Sequence, residues 1–102
     1  MDMNQMMQQA QQMQLELARA QEEIQSMTYT ATAGGGMVEA TAVGSGSIES
    51  LKIDPEAVDP EDVEMLEDMV LVAVNEALRG VAEAGERRLA SMTGGMSIPG
   101  LF

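Results

Sequence analysis

The chain contains no cysteine, no histidine and no tryptophan. Without cysteine there is no disulfide framework, no thiol nucleophile and no thiolate ligand for a metal. Without histidine the commonest general base and the commonest zinc ligand are missing too. These two absences leave enzyme chemistry little to stand on, and no cofactor or metal is expected. Aromatic residues are nearly absent. Tyr29 and Phe102 are the whole set, so there is no row of rings on which single-stranded bases could stack. No apolar run approaches the ~20 residues of a membrane helix, and the first residues lack the basic region and apolar core of a signal peptide. One domain in the cytoplasm, with no membrane partner, is the expectation. Basic residues are also scarce: five Lys and Arg stand against 17 Asp and Glu, for a net charge of -12. Taken alone, that field opposes nucleic acid and anionic membranes.

The charge is uneven. Asp54, Glu56, Asp59, Glu61, Asp62, Glu64, Glu67 and Asp68 form one acidic run, and no base occurs between Ile53 and Leu78. From Met3 to Gln21, Glu16 and Arg19 balance to zero. Arg79, Arg87 and Arg88 outnumber Glu83 and Glu86 in the last part of the chain.

What the chain has in quantity is methionine, eleven in all. Met3, Met6, Ala10, Met13, Leu17, Ala20, Ile24 and Met27 recur with an unbroken 3-4 spacing, and mostly glutamines lie between them. This is the heptad pattern of a helix that hides one narrow stripe. A helix over 2–25 would be roughly 36 Å long at about 1.5 Å per residue, more than so small a domain can cover on all sides. It therefore projects, and its stripe meets a partner. Methionine and alanine pack adaptably but specify shape poorly, so burial between two copies would supply what one copy lacks.

Strands are expected over 28–33, 37–43 and 48–53, with turns at Gly34-Gly35-Gly36 and Gly44-Ser45-Gly46-Ser47. Short turns imply an antiparallel meander. Asp59 as cap and Pro60 at the first helical position predict a second helix over 60–92. Its stretch Met69-Val70-Leu71-Val72-Ala73-Val74 is apolar on every face, as in a helix buried on all sides. One face would lie on the sheet and the other on a second subunit. Met69, Val70, Val72, Ala73 and Val74 are thus the expected dimer interface. Gly80 and Gly85 would allow close approach or a bend. The fold class is α+β: long helix, three-stranded meander, long helix, assembled as a homodimer. The domain would span 1–93, with 94–102 a flexible tail.

The acidic run lacks the spacing and glycine of a calcium-binding loop and reads as a helix start with a solvated face. The three glycines are followed by no Gly-Lys-Ser or Gly-Lys-Thr, so they form a turn rather than a phosphate loop. Ser45 and Ser47 read as turn formers. For duplex DNA the available cations are Arg19, Lys52, Arg79, Arg87 and Arg88. A competing reading pairs these arginines with neighbouring glutamates, as Glu83 and Arg87 could at i,i+4.

Gln9-Ala10-Gln11-Gln12-Met13-Gln14 with Gln21-Glu22-Glu23-Ile24 resembles the first helix of the YbaB/EbfC nucleoid-associated proteins. Ile53-Asp54-Pro55 resembles the end of that family's third strand. Met65-Leu66-Glu67-Asp68-Met69-Val70 and Val74-Asn75-Glu76-Ala77 resemble its second helix, and Gly94-Gly95-Met96-Ser97-Ile98-Pro99-Gly100 its C-terminal tail. The resemblance implies a non-catalytic cytoplasmic homodimer at the nucleoid that binds duplex DNA with little sequence preference. Family genes commonly neighbour recombination-repair genes, which adds recombination-repair proteins to the expected partners. The implied DNA contacts are Arg19, Arg79, Arg87 and Arg88, with hydrogen bonds from first-helix glutamines such as Gln8 and Gln12. Gln8 and Glu16 stand where the family usually carries lysines, and Gly80 replaces a basic residue. Binding is therefore expected to be weak and salt-sensitive. The alternative is an acidic dimeric adaptor that has lost most DNA binding.

Overall fold

The computed structural model describes residues 2–92. The elements are α1 (Met3–Ser26), β1 (Thr28–Ala33), β2 (Val38–Val43), β3 (Ser47–Ile53), a short 3-10 turn (Pro55–Ala57) and α2 (Val63–Met92). This is the α+β order read from the sequence. The tail expected at 94–102 lies outside the described residues.

Each element begins or ends for a local reason. The Asp2 carboxylate accepts the Gln5 N–H at 2.8 Å and caps α1, satisfying one of the donors that every helix start leaves open. The acidic run does similar work. Asp54 accepts from the Glu56 N–H at 2.9 Å and Asp59 from the Glu61 N–H at 2.9 Å. Asp62 reaches the Met65 N–H at 3.3 Å. The start of α2 therefore falls at Val63 rather than at residue 60. Asp59 closes a turn through Pro60 and Glu61, and Asp62 takes the capping place expected of Asp59.

The sheet is an antiparallel meander in the order β1-β2-β3. Gly34, Gly35 and Gly36 turn β1 into β2 with φ of 64°, 69° and 95°, a left-handed region that costs other residues more. Threonines face each other across the first ladder, with the Thr30 and Thr41 hydroxyls 2.8 Å apart. The second ladder shifts register at Thr41/Ala42: Thr41 pairs with Ser50, but Ala42 pairs with Ile48. The extra residue, Glu49, is a β-bulge. It resolves a sequence pattern that is not a strict alternation. Ile48 and Leu51 are three residues apart, yet Ile48, Leu51 and Ile53 stand opposite Ala42, Ala40 and Val38, so all three join the side facing the core.

That core is small. Val38, Ala40 and Ala42 of β2 pack with Ala73, Ala77 and Val81 of α2, all buried. Alanine against alanine brings the helix close to the sheet. Gly80 extends the close approach, since a Cβ there would overlap the Tyr29 ring. α1 is seated elsewhere. Its last turn rests on the β2–β3 corner, where Gly44 donates its N–H to the Met27 carbonyl at 2.8 Å and a Cβ on Gly44 would collide with the Ile24 carbonyl oxygen. Ile24 also faces Gly85 of α2. The glycines of α2 thus serve close approach.

Gly85 faces Ile24 and Arg88 pairs with Glu23, so α1 and α2 run antiparallel where they meet. The junction involves the last part of each helix, so their N-terminal parts extend in opposite directions. The molecule is accordingly drawn out to 73 × 25 × 15 Å. The first two-thirds of α1 projects as an arm, and Ala20 is its one fully buried residue.

Candidate nucleic-acid interface

The four arginines fall into one pair and two single residues. Arg79 and Arg87, two turns apart on α2, share Glu83. Arg79 donates to the Glu83 carboxylate at 2.9 Å, and the Arg87 guanidinium lies 3.8 Å from the same group. Glu76, one turn before Arg79, holds its other amino group. The hydrogen bond from Arg79 to Glu76, then the charges of Glu76 and Glu83, raise the Arg79 pKa above its ordinary value. Arg88 lies at the helix junction and donates to Glu23 of α1 and to the Ser91 hydroxyl. All these pairs are open to solvent, with side chains 38% to 77% exposed on the arginine side. Solvent-exposed ion pairs of this kind are individually weak and are screened by salt.

Arg19 differs. It stands on the exposed part of α1, and among the described residues it has no ion pair. Gln8 and Gln12 precede it by eleven and seven residues, spacings that put all three on one face of the helix. All three are exposed. Lys52 stands opposite Glu39 on the β2–β3 ladder. The structure therefore brings Arg79 and Arg87 together, sets Arg88 within one turn of the Arg19 side of α1 through Glu23, and leaves Gln8 and Gln12 further out on the arm. The Glu76 and Glu83 pairs were readable as i,i+3 and i,i+4 spacings. The Glu23–Arg88 pair, 65 residues apart, had no local signal.

The five residues expected at a dimer interface are divided. Ala73 is fully buried within the chain, and its side chain is spent on its own sheet. Met69, Val70 and Val74 are half-buried against that core, Met69 with its sulfur over Gly34. Val72 is exposed. Beside them runs an open groove lined by Ile53, Leu66, Glu67, Val70, Leu71 and Val74. Leu71 is 59% exposed there and Ile53 37%. Ile53, Leu66 and Leu71 line this groove but lie outside the five residues expected from the sequence. The bulge that turns Ile53 to this side of the sheet has no sequence signature of its own.

Among the described residues no helix is long and apolar enough to cross a membrane. The model of the YbaB/EbfC DNA-binding family matches residues 1–96. A nucleoid-associated protein of Thermoanaerobacter pseudethanolicus is 52% identical over 101 residues, spanning 99% of this chain and 91% of that protein. One from Pelotomaculum thermopropionicum is 50% identical over 101 residues, spanning 99% and 96%. Among solved structures, an uncharacterized protein of Helicobacter pylori superposes with a TM-score of 0.70 at 27% identity, covering 91% of this chain and 98% of that one. The helix–meander–helix fold, the match along nearly the whole chain and relatives at half identity place this protein in the YbaB/EbfC DNA-binding family.

Proposed function

We propose that this chain is a non-catalytic, nucleoid-associated protein that binds duplex DNA as a homodimer through phosphate contacts. Membership of a DNA-binding family supports the general role. The observation that carries the mechanism is the polar face of the arm. There Arg19, without an ion pair among the described residues, shares an exposed side of α1 with Gln8 and Gln12. Arg19 would meet a phosphate with its planar fork, and the glutamines would donate to neighbouring oxygens. Arg79, Arg87 and Arg88 would join by exchanging Glu76, Glu83 and Glu23 for phosphate. That exchange subtracts from the gain, so binding is weak and falls steeply with salt. Nothing in this set reads base edges, so DNA shape would govern any preference.

Dimerisation would use the groove at Ile53, Leu66, Val70, Leu71 and Val74; Val72 lies off that side of α2. These residues leave an apolar strip beside a very small core, and a second copy would bury it. Two copies present each arginine twice.

A second reading has its own support: three of the four arginines are already paired with glutamates. On that reading the protein is an acidic adaptor with little affinity for DNA. Fluorescence anisotropy of a labelled duplex of about 30 base pairs, titrated at two salt concentrations, decides between them. Affinity that drops steeply with salt supports phosphate contact. Absence of binding at the lower salt selects the adaptor.

A further inference from the structure

The apolar stripe of α1 is covered at one end and bare at the other. Ala20 is 1% exposed and Ile24 half-buried where α2 lies alongside; outward, Leu17 is 42%, Met13 68% and Met3 77% exposed. The bare stretch from Met3 to Leu17, with Met6 and Ala10 on the same row, is the direct continuation of a seam already packed on α2. No ion pair braces it among the described residues, and a lone helix of this length is marginal in water.

We infer that this row is an interface between two copies of the chain, in which the arms lie side by side and antiparallel. Charge selects both the partner and the direction. The arm is formally neutral between Met3 and Gln21, so two arms meet without repulsion in a chain of net charge -12. The acidic run Asp54–Asp68 occupies the link after β3 and the first turns of α2, which extend away from the arm. Antiparallel arms keep the two acidic ends well beyond the screening length of about 8–10 Å, whereas parallel arms would set them side by side. Met3, Met6, Met13 and Leu17 from each copy, at roughly 100 Å² apiece with the stems of flanking glutamines, approach the roughly 1,000 Å² that a specific interface needs. Gln8, Gln12 and Arg19 lie on the other side of the helix and stay free. This contact is distinct from the groove beside β3: a dimer joined at the groove would pair with a second dimer through its arms, and the arm contact holds whether or not the chain binds DNA.

The bare row is centred on Ala10, so Met3 of one copy meets Leu17 of the other. Because the chain has no cysteine, an introduced thiol is unique. Met3→Cys mixed with Leu17→Cys, both in the full chain, should give a disulfide-linked pair on mild oxidation. Neither variant alone should, because like positions would lie about 21 Å apart along antiparallel helices and a disulfide needs Cα atoms within about 7 Å. Linking by Met3→Cys alone would show parallel arms and overturn the inference. A second measurement avoids thiols. Met6→Glu with Met13→Glu, at positions exposed in the protomer, should leave the circular dichroism of the body intact and halve the mass found by sedimentation equilibrium. An unchanged mass would overturn the inference and leave the row to another occupant, such as residues 93–102.

Discussion

At the scale of residues, the balance between arginine and glutamate decides how strongly this protein meets a phosphate. Glu83 faces two arginines and Glu76 one. Replacing Glu83 with Gln frees Arg87, leaves Arg79 to Glu76 alone and removes a negative charge from the same surface. Duplex affinity at low salt should rise several-fold, read by anisotropy; an unchanged affinity would take Arg79 and Arg87 out of the contact surface. Arg19→Ala acts in the other direction. It should weaken binding to all sequences alike and lower the slope of log affinity against log salt by about 1 for each phosphate that it no longer neutralises. If neither the affinity nor the slope moves, the arm's polar face is not where DNA sits. Exposed pairs such as Glu83–Arg87 were legible as a spacing. Whether a given arginine is engaged by a glutamate or free depended on distances that the spacing only permits.

Among the elements, the attachment of α1 is the most sensitive joint. Its last carbonyls rest on Gly44, and the atom that a new Cβ would strike is backbone oxygen, which cannot rotate away. Gly44→Ala should cost about 1–3 kcal/mol, as overpacking of a close contact does, and lower the thermal midpoint by several degrees. Gly85→Ala is the contrast. Its Cβ would lie 2.9 Å from a methyl group of Ile24, and the gain from replacing a helical glycine, about 1 kcal/mol, offsets part of that crowding. Calorimetry of the two variants should place Gly44→Ala clearly below Gly85→Ala. The reverse order would mean that α1 is held mainly by α2 rather than by the β2–β3 corner. The strands and helices themselves were readable from local pattern. The bulge at Glu49 was not, because an inserted residue is recognised by its partner strand and not by its own chemistry.

For the molecule as a whole, the arrangement separates charge along one axis, with a neutral arm at one end, an acidic run toward the other and Arg79, Arg87 and Arg88 between. The groove beside β3 lies on the body. Leu71→Glu places a charge where a second copy would bury apolar surface, and in the protomer Leu71 is already exposed. This variant should remain folded by circular dichroism and show a mass reduced by half in sedimentation equilibrium at low micromolar concentration. A mass equal to that of the unsubstituted chain would remove the groove from the interface.

The sequence by itself determined the element order, the antiparallel meander and the exclusion of thiol and imidazole chemistry, because each rests on local pattern or on residues that are simply missing. It also carried the family, through motifs spread over the whole chain. Tertiary structure decided which apolar residues became core. Ala73 and Leu71 read alike in an all-apolar run, yet Ala73 is buried and Leu71 exposed, because a helix laid on one small sheet has only one covered face. It likewise decided that Arg88 meets Glu23, since an ion pair 65 residues apart exists only once two helices have been brought antiparallel at their ends.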